Sequence, residues 1–374
     1  MLFRSDSFDQ NLDGDQSDRI NVSEIVPYEK AVYEPTDKNP DSWRINNADS
    51  SPLTNEPVKI PWRKGASMGS VTSLNIKKVT FQDKIQPKST AFWFNGLNGL
   101  TTIVNIENLD TSEDTCMTQM FTGCSSLTEL DVSHFDTSKV RSTWDMFCGC
   151  SKITNLDVSN WDMSKVGGAA GMFYQCRNLE ELDTSNWYTP NMYNMQGMFR
   201  ECRKLKKIDL GNFSFENMWL MQDLFFCNDF ATSRPNISDN FRDAYDMALE
   251  EVIFPESFST PNLRKTYRMF AGCSKLKSID LHGMSFDKVN QAYMMFYKCK
   301  SLESLDINGL SGYGNVWLSE TGDNIIGGIF EGCSKLETLD ISGANVARTG
   351  NNIDSSKAIY KDNMFAGTEA LKEL

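Results

Sequence analysis

One phrase, recurring down the chain, limits what this sequence can fold into more than any other feature. Phe121-Thr-Gly-Cys124, Phe147-Cys-Gly-Cys150, Phe173-Tyr-Gln-Cys176 and Phe199-Arg-Glu-Cys202 follow one another at a step of 26 residues. The step to Cys227 is 25, to Cys273 46, to Cys299 26 and to Cys333 34. Thr368 stands in the cysteine's place 35 residues later, and Leu97 stands there 27 residues before Cys124. With the degenerate ends included there are ten copies, and self-similarity at such a period is the mark of a solenoid.

Each unit divides into two apolar patterns. Leu127-x-x-Leu130-Asp131-Val132-x-x-Phe135 returns as Ile153, Leu156, Val158, Trp161, then Leu179, Leu182, Thr184, Trp187, then Leu205, Ile208, Leu210, Phe213. The L-x-x-L-x-L core predicts the strand of a leucine-rich repeat, with 130 and 132 facing in and 131 facing out. Ahead of each Phe lie apolar residues spaced by three and four, such as Met192, Met195 and Met198 before Phe199. That spacing predicts a short helical segment laid on the strand layer. No unit encloses both stripes alone, so neighbouring coils must stack on a shared core. The expected fold is an α/β repeat solenoid: one short strand and one short helical segment per coil, a parallel sheet on one face, and a small β cap at the N-terminus.

At 120–140 the phrase MFTGCSSLTELDVSHFDTSKV resembles the repeat of BspA-like leucine-rich-repeat proteins, bacterial proteins of the cell surface or secreted from it. The opening STAFWFNGLNGLTTIVNIENLDTS at 89–112 and VTSLNIKKVTFQDKI at 71–85 resemble that family's first repeat and the strand leading into it, so the likeness spans about 70–374. It implies adhesion to protein partners, host matrix or cell-surface components, and an extracellular location. The scaffold itself hosts many binding specificities.

Charge narrows the partners. Thirty-seven basic against 50 acidic residues give a net charge of −13, which repels nucleic-acid backbones and anionic lipid. No apolar run reaches the ~20 residues a membrane span needs, and the first residues form no signal-peptide pattern.

Three segments are expected. An acidic stretch, 1–25, contains Asp9-x-Asn11-x-Asp13-Gly14, which begins like an EF-hand calcium loop. Positions 16 and 20 break the regular pattern, and only a bulge of four residues would bring Glu24 to close it; the other reading is a solvated linker. Residues 26–88 carry strand-like pieces that would cap the first coil. The solenoid, 89–374, stops at Leu371-x-x-Leu374, where a further strand would begin, which suggests a truncated array. Three insertions, near 228–247, 311–325 and 345–361, are expected as surface loops, with Tyr313 and Trp317 as contact anchors.

Several columns remain. Asp131, Asp157, Asp183 and Asp209, followed by Asp280, Asp306 and Asp340, form an outward row. It would serve as a binding strip for a cation or basic ligand, or its members would accept hydrogen bonds from neighbouring hydroxyls and turn amides. The aromatic column Phe135, Trp161, Trp187, Phe213 falls at the inward end of the strand and is expected in the core. The cysteines lack the short paired spacing of metal sites and are expected as buried small apolar residues. His134 and His282 occupy the corner slot held elsewhere by Asn160, Asn186, Asn212 and Asn308. With no nucleophile, zincin or phosphate-loop phrase, the sequence points to a non-enzymatic protein-binding module without a resident cofactor beyond that calcium loop. The alternatives are a stalk presenting another domain and, more remotely, a glycan-handling enzyme.

Overall fold

The computed structural model describes residues 77–81, 86–227, 247–289, 292, 294–306, 329–340 and 365–372, and within 2–47 the backbone of five strands. Those five are β1 (Leu2–Phe3), β2 (Arg19–Asn21), β3 (Ile25–Val26), β4 (Ala31–Thr36) and β5 (Asn39–Asn47). The others are β6 (Lys78–Thr80), β7 (Thr102–Val104), β8 (Lys207–Asp209), β9 (Glu251–Ile253), β10 (Ser278–Asp280), β11 (Ser304–Asp306) and β12 (Thr338–Asp340). Antiparallel pairs β1–β3 and β4–β5 precede the array, and β2 pairs parallel with β6, which pairs with β7. Further on, β8 pairs parallel with β9 and β10–β11–β12 form one parallel sheet.

Parallel pairing in register places like residues in rows. Ile279 sits beside Leu305 and Leu305 beside Leu339, as the repeat spacing demands. The strands are short, three residues each from β6 onward, and where residues 155 and 181 meet the contact shrinks to a single parallel bridge.

The expected helical segment is not there. Among the described residues only Ile106–Asn108 forms a helix, a single 3-10 turn. Between Met117 and Cys124, N–H groups alternate in direction. Those of Gln119, Phe121 and Gly123 donate to Trp144, Met146 and Cys148 carbonyls of the next coil at 2.8, 2.8 and 2.7 Å. Those of Met120, Thr122 and Cys124 donate three residues back. An α-helix would direct every one of them along its own axis. Left-handed φ at Gln119 (54°) and Gly123 (76°) breaks any right-handed run. The three-and-four spacing was nonetheless informative: Met117, Met120, Phe121 and Cys124 are all fully buried. It marks which residues face the core, not which carbonyl each amide finds.

A second hydrogen-bonded row links the coils before this turn. Arg141 N donates to Thr115 O, Gly167 N to Arg141 O, Tyr193 N to Gly167 O and Trp219 N to Tyr193 O, at 2.9–3.0 Å. Isolated parallel bridges run through Cys116, Ser142, Gly168, Asn194, Leu220 and Lys265. Backbone pairing between coils thus occurs on the turn side as well as the strand side, and satisfies the amides that stacking buries.

A column of rings runs the length of the core. Phe94, Phe121, Phe147, Phe173, Phe199, Phe225, Phe270, Phe296, Phe330 and Phe365 stack successively with centroids 5.1–5.8 Å apart and planes within 18°. The stack crosses all three insertions: Phe225 meets Phe270 at 5.6 Å, Phe296 meets Phe330 at 5.7 Å, and Phe330 meets Phe365 at 5.7 Å. The flanking coils therefore stay in register across each insertion.

Candidate functional site

On the strand side, the aspartates of the outward row close Asx turns. Asp131 Oδ1 accepts from Ser133 N at 3.0 Å and Ser133 Oγ at 2.6 Å; Asp157 takes the same bonds from Ser159, and Asp183 from Ser185. Asp209, half-buried, accepts from Gly211 N at 2.8 Å. Asp280 accepts from the His282 amide at 3.0 Å. Side-chain and backbone bonds from Ser133 hold the Asp131 carboxyl below its ordinary value, and those from Ser185 do the same at Asp183. Asp131, Asp157 and Asp183 are exposed, and each directs Oδ1 inward to its turn. The side chains of Asp306 and Asp340 lie outside the described residues, as do Asp9, Asn11, Asp13, Glu24, Tyr313 and Trp317.

The aromatic column is interior: Phe135, Trp161, Trp187 and Phe213 are 3, 2, 0 and 4% exposed and stack at 6.0–6.4 Å. Trp161 Nε1 donates to Val132 O at 3.0 Å and Trp187 Nε1 to Val158 O at 2.9 Å, one coil back in each case. The cysteines have a task the sequence did not disclose. Cys124 Sγ donates to Phe94 O, Cys150 to Phe121 O, Cys176 to Phe147 O and Cys299 to Phe270 O, each at 3.2 Å. The accepting carbonyl belongs to the preceding coil. Leu97, in the coil of the first stacked ring, is apolar at the same place. All ten cysteines are free thiols, and burial pushes the half-buried Cys148 and the buried Cys333 up to about 12. His134 Nε2 bonds Ile106 O at 3.1 Å, the work that Asn186 Nδ2 performs on Ser159 O, and His282 Nε2 bonds Glu256 O at 3.2 Å. Among the described residues no three metal-ligating side chains gather into a cluster, and no helix is long and apolar enough to cross a membrane.

Sequence reasoning missed the turn face. Two residues before each stacked Phe from Phe94 to Phe296 stands a left-handed position: Phe92, Gln119, Asp145, Gly171, Gly197, Asp223, Arg268 and Met294. Polar side chains link along this row, Asn95 Nδ2 to Gln119 Oε1 at 2.9 Å and Gln119 Nε2 to Asp145 Oδ2 at 3.3 Å. The chain of bonds halts at the two glycines. Beyond them Asp223, 3% exposed, takes a two-pronged ion pair from Arg268 at 2.7 and 2.8 Å. The gap is a cavity of about 180 Å³ walled by Trp144, Asp145, Tyr174 and Arg200. The signal was present as Gly171 and Gly197 where flanking coils carry polar residues, but only left-handed backbone gives that column meaning. A wider, more open groove of about 370 Å³ lies at the strand-side corner beside Tyr188, which is 60% exposed.

Comparison with known proteins bears on this architecture. Residues 70–182 and 152–252 match a family described as Mycoplasma protein of unknown function, DUF285, and 242–353 match the BspA type leucine rich repeat region. Residues 242–353 are thus a BspA-type leucine-rich repeat region. No curated protein matches this chain. Among solved structures, a leucine-rich repeat protein from Bacteroides ovatus ATCC 8483 is 15% identical, over 71% of this chain and 73% of that one, with a TM-score of 0.32. A TLR13–ssRNA13 complex matches at 17% identity and TM-score 0.25, over 72% of this chain and 36% of its own.

Proposed function

We propose that this protein is a non-enzymatic binding module, displayed on or secreted from the cell, that adheres to a protein of a host or neighbouring cell. The leucine-rich-repeat match supports protein-protein interaction in general. The observation that carries the finer reading is the strand-side row. Asp131, Asp157 and Asp183 repeat one exposed carboxylate per coil, each with Oδ1 engaged by its serine. A row of like charges at coil spacing attracts a basic segment of a partner protein more strongly than any single carboxylate does. The loops carrying Tyr313 and Trp317 would add aromatic anchors, and Asp9, Asn11, Asp13 and Glu24 would bind calcium at the N-terminal end.

Surface capture of the full chain against a panel of extracellular-matrix and cell-surface proteins tests this. Binding that weakens at least tenfold as salt rises from about 50 to 500 mM, and in the triple variant Asp131→Asn/Asp157→Asn/Asp183→Asn, is expected. Binding unaffected by that triple variant would remove the row from the reading. Shortening 311–325 then measures the contribution of the loop anchors.

A further inference from the structure

The gap in the turn-face row is built, and its construction specifies a ligand. At Gly171, φ is +62°, and a Cβ placed there would lie 2.0 Å from Asp145 Oδ1. The Asp145 carboxyl therefore occupies the space of the missing side chain and closes one wall of the cavity. On the far wall Arg200 lies between two rings, its guanidinium carbon 5.0 Å from the centroids of both Tyr174 and Phe226. Arg200 Nη1 stands 3.6 Å from Asp223 Oδ2, and its buried Nε has no hydrogen-bond partner. Asp223 is already engaged by Arg268. What faces the cavity is thus a carboxyl acceptor on one side, a guanidinium donor on the other, and the half-buried Trp144 and Tyr174 rings.

We infer that this notch binds one ring of a carbohydrate, a neutral hexose-sized residue. Opposite charges across the cavity leave no net field to favour an anion or a cation. A polyol presents hydroxyls that donate to Asp145 and accept from Arg200, and a face of C–H groups that lies against an aromatic ring. The volume of about 180 Å³ equals about six waters at ~30 Å³ each, and falls below the ~300 Å³ at which sites for drug-sized ligands begin. One sugar ring fits that limit, whereas a nucleotide does not. An apolar protein side chain as occupant would leave the buried Arg200 Nε without a hydrogen-bond partner, whereas a sugar hydroxyl supplies one. The site is on the turn side, so its occupancy is independent of the strand-side row.

The test titrates the full chain with the methyl glycosides of glucose, galactose, mannose and N-acetylglucosamine, read by saturation-transfer NMR. At least one is expected to bind saturably with a millimolar constant. Gly197→Asn fills the notch: a Cβ at Gly197 meets only Arg200 Cβ and Cδ at 3.7 and 3.8 Å, and Asn accepts the left-handed backbone. Asp145→Asn removes the charge at constant shape. Both variants are expected to weaken binding at least tenfold while the Gly197→Asn protein melts close to the parent. No glycoside bound by the parent chain overturns the inference. So does affinity unchanged in Asp145→Asn, the arm that decides if Gly197→Asn fails to fold.

Discussion

Asp114 shows what one residue does when it replaces the apolar member of a repeat position. Its column continues as Val140, Val166, Met192, Met218, Leu263 and Val289, all buried, and each donates its N–H to the carbonyl three residues back, as Asp114 does to Thr111. Asp114 is fully buried too, and accepts from Thr90 Oγ1 at 2.6 Å, Cys116 N at 2.8 Å and Thr90 N at 3.1 Å. Burial pushes its carboxyl up to about 7 against the pull of these bonds, and burial raises Asp145 to about 6. A folded-state value above the unfolded one means that the native state holds the proton more tightly. The stabilising contribution is complete below about pH 4 and is lost as pH rises through 6 and 7, on the order of a few kcal/mol for the pair. Asp131 and Asp183, held low, act in the opposite sense, supporting the fold above about pH 4 and losing that support as pH falls further. Urea midpoints measured from pH 4 to 8 should therefore decline for the parent chain and decline less steeply in Asp114→Asn. Parallel curves would mean that Asp114 does not titrate in this range.

The turn segment is the element where backbone and side chain most constrain each other. Every second amide bonds to the next coil, and the reversal goes with left-handed φ two residues before each stacked ring from Phe94 to Phe296. Polar residues adopt that conformation at some cost; glycine does so freely. Gly171 is needed twice over, for its φ and for the space Asp145 occupies. Gly171→Ala is expected to destabilise by about 1–3 kcal/mol, from the strained backbone plus displacement of Asp145. Gly197→Ala carries the same left-handed strain (φ +58°) but has only ordinary contacts waiting for its Cβ, and should lose about 1–2 kcal/mol, less than Gly171→Ala. Chemical denaturation of the two variants side by side checks the order, and equal losses would separate Asp145 from the Gly171 requirement. The apolar spacing at Met192, Met195 and Met198 identified the buried face of this element but not its backbone, because helix and turn present the same stripe to a core.

At the scale of the molecule, stacking makes each coil depend on its neighbours and little else, so stability sums over units and interfaces. An interior ring such as Phe147 stacks on Phe121 at 5.5 Å and on Phe173 at 5.6 Å, whereas the half-buried Phe365 meets Phe330 alone in the column. Phe147→Ala should destabilise by about 3–5 kcal/mol, and Phe365→Ala by about half as much or less. Hydrogen exchange would show the first loss centred on 121–173; a loss spread evenly over the chain would contradict a nearest-neighbour array. The sequence by itself determined the register, the ring and cysteine columns, the inward Trp161 and Trp187, and the corner role of His134, since a repeat brings equivalent positions together whatever path each coil takes. Only the tertiary structure decided that the helical stripe is a turn and that thiols such as Cys124, Cys150 and Cys176 serve the preceding coil's carbonyl. It also decided that Gly171 and Gly197 leave a walled notch, because hydrogen-bond partners and empty space lie between coils, about 26 residues apart along the chain.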